Sequence, residues 1–219
     1  PGYLQFFVAA PHRYVELPLH FWYPSELVGE ATPIGQNALF YGAYARKDAP
    51  ASAQILPVVI LVHGSGGNAP RLSWLASSIA NQGAMVIGAN HPGTTSGDSD
   101  PVRSTQVWER ALDIGVILDF LETTPPAGTN VDLSRVAVIG FSLGGHTALS
   151  VSGVEVSKMQ FIEYCSERPF KIDCLFYNRA AVDFTQIDQE LYEASYKDPR
   201  VTVSVAVDPA LPRAIKSDR

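Results

Sequence analysis

The chain has 219 residues, 46% of them apolar, and carries 16 Lys and Arg against 22 Asp and Glu for a formal net charge of −6. That apolar share supports a sizeable core and excludes a disordered chain. No Lys/Arg cluster is present, which excludes a nucleic-acid partner, and no apolar run approaches the length of a membrane span.

The length suits one α/β domain over residues 1–219. Residues near Tyr14 to Tyr23 alternate loosely and hold Pro18 and Pro24, which predicts an edge strand, where a missing N–H is tolerated. Ala38 to Tyr44 reads as a second, antiparallel strand. Pro57 to Val62 is a continuous β-branched run, the pattern of a strand buried on both faces. It ends in His63-Gly64-Ser65-Gly66-Gly67. A helix is predicted over about Arg71 to Gln82, with Leu72, Leu75, Ala76 and Ile79 at helical spacing and Gly83 as its stop. Met85 to Asn90 is the next buried strand, ended by His91-Pro92-Gly93. Thr94 to Asp100 is a polar loop. Val102 to Glu122 is a long amphipathic helix, with Val107, Ala111, Ile114, Leu118 and Leu121 on one face and Pro125-Pro126 as its stop.

Arg135 to Ile139 is a third apolar run. It passes through Gly140-Phe141-Ser142-Leu143-Gly144 into a small-residue helical stretch. Gly153 to Pro199 breaks the strand–helix rhythm and reads as an insertion, or cap-like segment, above the sheet. Val201 to Val207 is the next strand, ended by Asp208-Pro209. Apolar strands separated by helices predict a mostly parallel sheet with helices on both faces.

In such a sheet the ligand crevice lies at the carboxyl ends of the strands, where the His63–Gly67 loop, His91, Ser142 and Asp208 all fall. G-x-S-x-G at a strand-to-helix turn makes Ser142 a candidate nucleophile. The Leu143 N–H is one oxyanion donor by construction of the turn, and the Ser65 N–H is the expected second. A plain glycine turn or a phosphate cradle are the other readings of the Gly-rich loop. A cradle would want a lysine and a longer spacing. Asp208 is the candidate acid, with a helix cap or Asp-Pro turn as its structural alternative. Asp98, Asp183 and Asp188 are weaker candidates in loops.

A serine hydroxyl needs a histidine to take its proton and a carboxylate to orient that histidine. The hydrolase chain order is Ser, acid, His. All five histidines (His12, His20, His63, His91, His146) precede Asp208. His63 reads as a residue holding its loop and His146 as a packing or polar-surface residue. His91 is the best internal substitute for the base.

Cys165 and Cys174 match no common zinc spacing. They read as a disulfide closing a short loop in an oxidising compartment, or as two unrelated thiols of a cytosolic protein.

The segments Leu61–Gly67, Val138–His146, Asp198–Arg200 and Ala206–Ala210 together resemble the serine hydrolases of the α/β-hydrolase fold. They are nearest to predicted dienelactone-hydrolase-like proteins and plasma-type platelet-activating-factor acetylhydrolases. The resemblance implies a carboxylic ester hydrolase with Ser142 as nucleophile, Asp208 as acid, Ser65 and Leu143 at the oxyanion, and neither cofactor nor metal. Ser142 stands where dienelactone hydrolases proper carry cysteine. The resemblance also implies further strands and a histidine-bearing loop beyond Arg219, carried on a second, cleaved polypeptide or on chain outside this sequence. It suggests export to the periplasm or medium. A small ester is the expected substrate, with peptidase, thioesterase or lactonase chemistry, or a non-catalytic binding protein, as the alternatives. Phe161, Tyr164, Phe170, Phe176 and Tyr177 either line an apolar pocket or pack the insertion onto the sheet.

Overall fold

A computed structural model describes residues 1–126 and 128–216 of the chain. One eight-stranded sheet runs in the order β10-β9-β5-β6-β2-β1-β4-β3. Its strands are β1 (Gly2–Ala10), β2 (Val15–Tyr23), β3 (Ala31–Ile34), β4 (Ala43–Lys47), β5 (Ile55–Val62), β6 (Met85–Ala89), β9 (Asn130–Phe141) and β10 (Val201–Val207). A two-stranded ribbon, β7 (Thr94–Thr95) with β8 (Asp98–Ser99), stands apart from it. The helices are α1 (Ser73–Asn81), α2 (Val107–Thr123), α3 (Leu143–Val151), α4 (Lys158–Glu167), α5 (Ile172–Arg179) and α6 (Gln189–Glu193).

Parallel pairings join β10, β9, β5 and β6, as the unbroken apolar runs predict. Alternating residues feed opposite faces. Val58, Ile60 and Val62 of β5 pack with Met85 and Ile87 of β6 against Ile114, Leu118 and Ala148 of α2 and α3. Leu61 and Val86 face the other way, onto Ala76 and Ala80 of α1. The α2 stripe read from the sequence is buried along its whole length.

Two expectations are corrected. The stretch from Val15 to Tyr23 is not an edge strand, because β2 lies between β6 and β1 in antiparallel pairing with both. Pro18 is tolerated because its carbonyl accepts from Asn90 N–H just past the last β6 pair, Leu19 with Ala89. The N and C=O of one strand residue point to the same side, so the missing N–H faces a place where β6 has ended. The strand expected over Ala38 to Tyr44 begins only at Ala43 and pairs parallel with β1 and antiparallel with β3.

Residues 153–199 hold α4, α5 and α6, which pack around Phe161, Tyr177 and Tyr192. Among the described residues β10 pairs with β9 alone, and its Val203, Val205 and Val207 are exposed. The continuation expected past Arg219 lies outside the described residues.

Candidate active site

The turn between β9 and α3 is built by its glycines. A Cβ on Gly140 would collide with the Gly144 carbonyl, and one on Gly144 with the carbonyl of Val62. Only glycine lets strand, turn and helix approach this closely. Ser142, between them, has φ 54° and ψ −117°, a left-handed conformation that non-glycine residues seldom adopt. Its backbone holds that strain in place: the Ser142 N–H donates to Val207 O at 3.0 Å, and its carbonyl accepts from His146 N at 3.0 Å and Ala210 N at 2.9 Å.

Those bonds also bring β10's end to the serine. Asp208, with φ 45°, follows β10 directly. His146 is buried in the first turn of α3, and the Ala210 N bond to the Ser142 carbonyl ties the turn that carries Asp208 to the start of that helix. Burial lowers the His146 pKa to about 4. Its burial makes it a packing residue and not a polar-surface one.

The Gly-rich loop reaches the same place. A Cβ on Gly64 would stand 3.2 Å from Ser142 Cβ. His63 is buried, and its Nδ1 lies 2.7 Å from the Gly64 carbonyl, which also accepts from Gly67 N at 3.0 Å. Burial first, then the Arg110 charge, keeps the His63 pKa well below 6.5, so the neutral ring donates from Nδ1. In a trans peptide the C=O and N–H point opposite ways, so fixing the Gly64 carbonyl on His63 turns the Ser65 N–H away from it. Gly66 N donates to Thr94 O at 2.8 Å and Ser96 N to Gly67 O at 2.7 Å, which staples the loop to β7.

A cavity of about 470 Å³ opens over this turn, lined by Ser65, Ser142, Leu143 and Asp208 together with Tyr164 and Phe176. The four residues singled out in the sequence thus share one cavity. None of the five histidines lines it. His91 is fully buried, with Nδ1 2.6 Å from Asp113, and does not stand in for a base at the cavity. Asp183 and Asp188 cap short helical turns, and Asp98 accepts from Gly93 N, so each is spent on local structure.

The cavity's outer wall is α5 with the end of α4. Cys165 and Cys174 form a disulfide between these helices, with Cα atoms 5.3 Å apart. Of the aromatics expected in this segment, Tyr164, Phe176 and Tyr177 line the cavity, Phe161 packs in the core beneath, and Phe170 is exposed. Closing a loop this short stabilises by about 2–3 kcal/mol through the unfolded chain. Replacing both cysteines by alanine is expected to lower stability by about that amount, measured by urea unfolding. An unchanged midpoint would contradict it.

A sequence profile for a family described as PET hydrolase-like matches residues 28–163. The chain belongs to the PET hydrolase-like family. Among solved structures, this PET hydrolase-like chain is similar to a ferulic acid esterase from Streptomyces cinnamoneus. Identity is 25% and the TM-score 0.55, over 68% of this chain and 54% of that one. It is also similar to a thermophilic esterase from the planctomycete Thermogutta terrifontis, at 18% identity and TM-score 0.43 over 71% and 45% of the two chains. A puromycin-hydrolyzing peptidase from Mycobacterium tuberculosis follows at 18% identity and TM-score 0.49, over 74% and 23%. No curated protein sequence matches it. The chain spans about half the length of the ferulic acid esterase, whose likeness agrees with the α/β-hydrolase fold expected from the motifs.

Behind the site of this PET hydrolase-like chain lies a buried charge cluster absent from the sequence reading. Asp113 is fully buried and accepts from Arg13 Nε (2.7 Å) and Nη2 (2.8 Å), His12 Nε2 (2.8 Å) and His91 Nδ1 (2.6 Å). Burial alone would raise its pKa, but the bonds from His12, His91 and Arg13 hold the carboxyl far below the usual range. Arg13 also pairs with Glu109 and donates to Pro92 O at 3.1 Å. The cluster joins the β1–β2 turn, α2 and the His91 loop. One signal could have found it: Arg110 and Asp113 fall at helical spacing within the apolar stripe of α2, where a charge needs a partner. Asp113→Ala removes the buried carboxylate that accepts from Arg13, His12 and His91, leaves Arg13 with Glu109 alone, and is expected to cost about 3–5 kcal/mol, read by denaturant unfolding.

Proposed function

We propose that the protein is a serine hydrolase of carboxylic esters that works through an acyl-enzyme on Ser142. The observation that carries this reading is the shared cavity, where a strained serine meets two backbone donors and a carboxylate from three different segments. The family description and the ferulic acid esterase likeness both favour ester bonds as the substrate class. Tyr164, Phe176 and Tyr177 favour an apolar acyl or alcohol group.

In this mechanism Ser142 Oγ attacks the ester carbonyl carbon and gives its proton to a histidine. The N–H groups of Ser65 and Leu143 hold the oxyanion. Collapse expels the alcohol, which takes the proton back from the histidine. Water, deprotonated by the same histidine, then releases the acid and restores the serine. Asp208 orients the histidine and stabilises its charged form. Because none of the chain's five histidines lines the cavity, we assign the base to residues beyond Arg219. Among the described residues β10 pairs with β9 alone, and its other edge is where such a segment, on this chain or on a second, cleaved polypeptide, would pair. Residues 153–199 act as the cap over the cavity within a single hydrolase domain. The Cys165–Cys174 disulfide fits a periplasmic or secreted protein.

The test is a substrate panel with the full-length protein: p-nitrophenyl esters of increasing acyl length, a matched thioester, a lactone and a peptide amide. The esters are expected to give the highest kcat/KM. A preference for the thioester, lactone or amide would move the chemistry to that class, and binding without turnover of any of them would favour a binding protein.

A further inference from the structure

We infer that Arg110 is a positioning residue that sets the spacing between the two oxyanion donors. The inference rests on the esterase reading above. Arg110 lies on α2 and is 1% exposed. Its guanidinium reaches three segments at once. Nη2 donates to the carbonyl of His63, Nη1 to Thr94 Oγ1 at 2.7 Å, and Nε to Thr147 Oγ1 at 3.3 Å. Thr147 in turn donates to the Leu143 carbonyl at 3.0 Å.

These bonds form a continuous relay. It starts at Leu143, which supplies one oxyanion donor, and passes through Thr147 and Arg110 to His63. His63 then holds the Gly64 carbonyl at 2.7 Å, which orients the peptide of Ser65, the other donor. The Thr94 bond anchors the same fork to the ribbon that staples the Gly-rich loop through Gly66 N.

The choice of residue fits geometry better than stability. Among the described residues Arg110 makes no ion pair; all three of its bonds end on neutral oxygens. A buried cation without a contacting anion is costly, and an apolar side chain of similar volume would pack there more cheaply. A guanidinium is rigid and planar, with donors in a fixed fork, so it can hold three acceptors at set distances where a lysine holds one. Positioning of this kind matters because a donor misplaced by about 1 Å forfeits much of its effect on the transition state.

The experiment uses the full-length protein with active sites titrated, and compares kcat, KM and inhibition by a trifluoromethyl ketone, whose serine adduct carries the oxyanion. Arg110→Met is expected to lower kcat about 100-fold with KM changed less than about threefold, and to weaken the ketone by a similar factor. Arg110→Lys should recover part of the loss. Thr147→Val keeps the shape of the side chain but breaks the relay, and should lower kcat by about 10-fold, with Thr147→Ser restoring most of it. Should Arg110→Met fail to fold, the Thr147 pair decides. Folded Thr147→Val with kcat and ketone affinity unchanged overturns the relay while leaving the esterase reading standing. Loss of stability in these variants without a fall in kcat per titrated site assigns Arg110 to structure alone and also overturns it. Absence of turnover in the unsubstituted protein overturns the esterase reading and this inference with it.

Discussion

Replacing Ser142 with alanine is expected to cut ester turnover by about 10⁴- to 10⁶-fold and to leave the fold intact. The size of the effect follows from covalent catalysis. Without the hydroxyl no acyl-enzyme forms, and only the oxyanion donors and binding remain to favour attack by water. The fold should survive because the structural duties of residue 142 fall on its backbone. Its N–H and C=O make the bonds to Val207, His146 and Ala210, and an alanine at φ 54° meets the same strain as serine. Turnover would be measured on a p-nitrophenyl ester with far-UV circular dichroism as the control. Residual activity within about tenfold of the unsubstituted protein would remove Ser142 from the mechanism.

Acidification is expected to destabilise the protein steeply below pH 6.5. Burial holds His20, His91 and His146 at about 4, and His63 well below its ordinary value. For His91 burial and the nearby Arg110 charge together outweigh the bond to Asp113. These rings are neutral in the folded protein and have ordinary values near 6.5 in the unfolded chain. Between about pH 6.5 and 4 the unfolded state therefore binds protons that the folded state refuses. Each such histidine removes up to about 1.4 kcal/mol of stability per pH unit. Asp113 works in the opposite window. Its folded pKa is depressed, so its contribution is present above its unfolded value near 4 and fades only as pH falls well below that. The early loss thus belongs to the histidines. Urea unfolding at pH 7.5, 5.5 and 4.5 should give a slope equivalent to uptake of at least two protons. A flat profile across that window would contradict the neutral, buried assignment.

The sequence made the parallel centre of the sheet legible because β5 and β6 are apolar without interruption, the pattern of two-sided burial. The cavity residues were legible for a related reason. Ser142, Asp208 and the His63–Gly67 loop each sit at the carboxyl end of a parallel strand, so topology alone gathers them. The outer strands were harder. Pro18 suggested an edge, and nothing local to residues 15–23 tells which strand will cover them; β1 does so through a long antiparallel pairing. The partners of Asp113 and Arg110 were invisible for the same cause, although the two charges within the apolar stripe of α2 signal that partners exist. His12, Arg13, His91 and Asp113 meet across about 100 positions of chain, and spacing rules see only a turn or two.

An activated nucleophile at Ser142 would react irreversibly with a phosphonylating probe. The most direct measurement is peptide mass spectrometry of the full-length protein after treatment with a fluorophosphonate probe. One equivalent of probe is expected on Ser142, and none on the Ser142→Ala variant. Labelling at another serine, or none in a folded protein that hydrolyses esters, would contradict it.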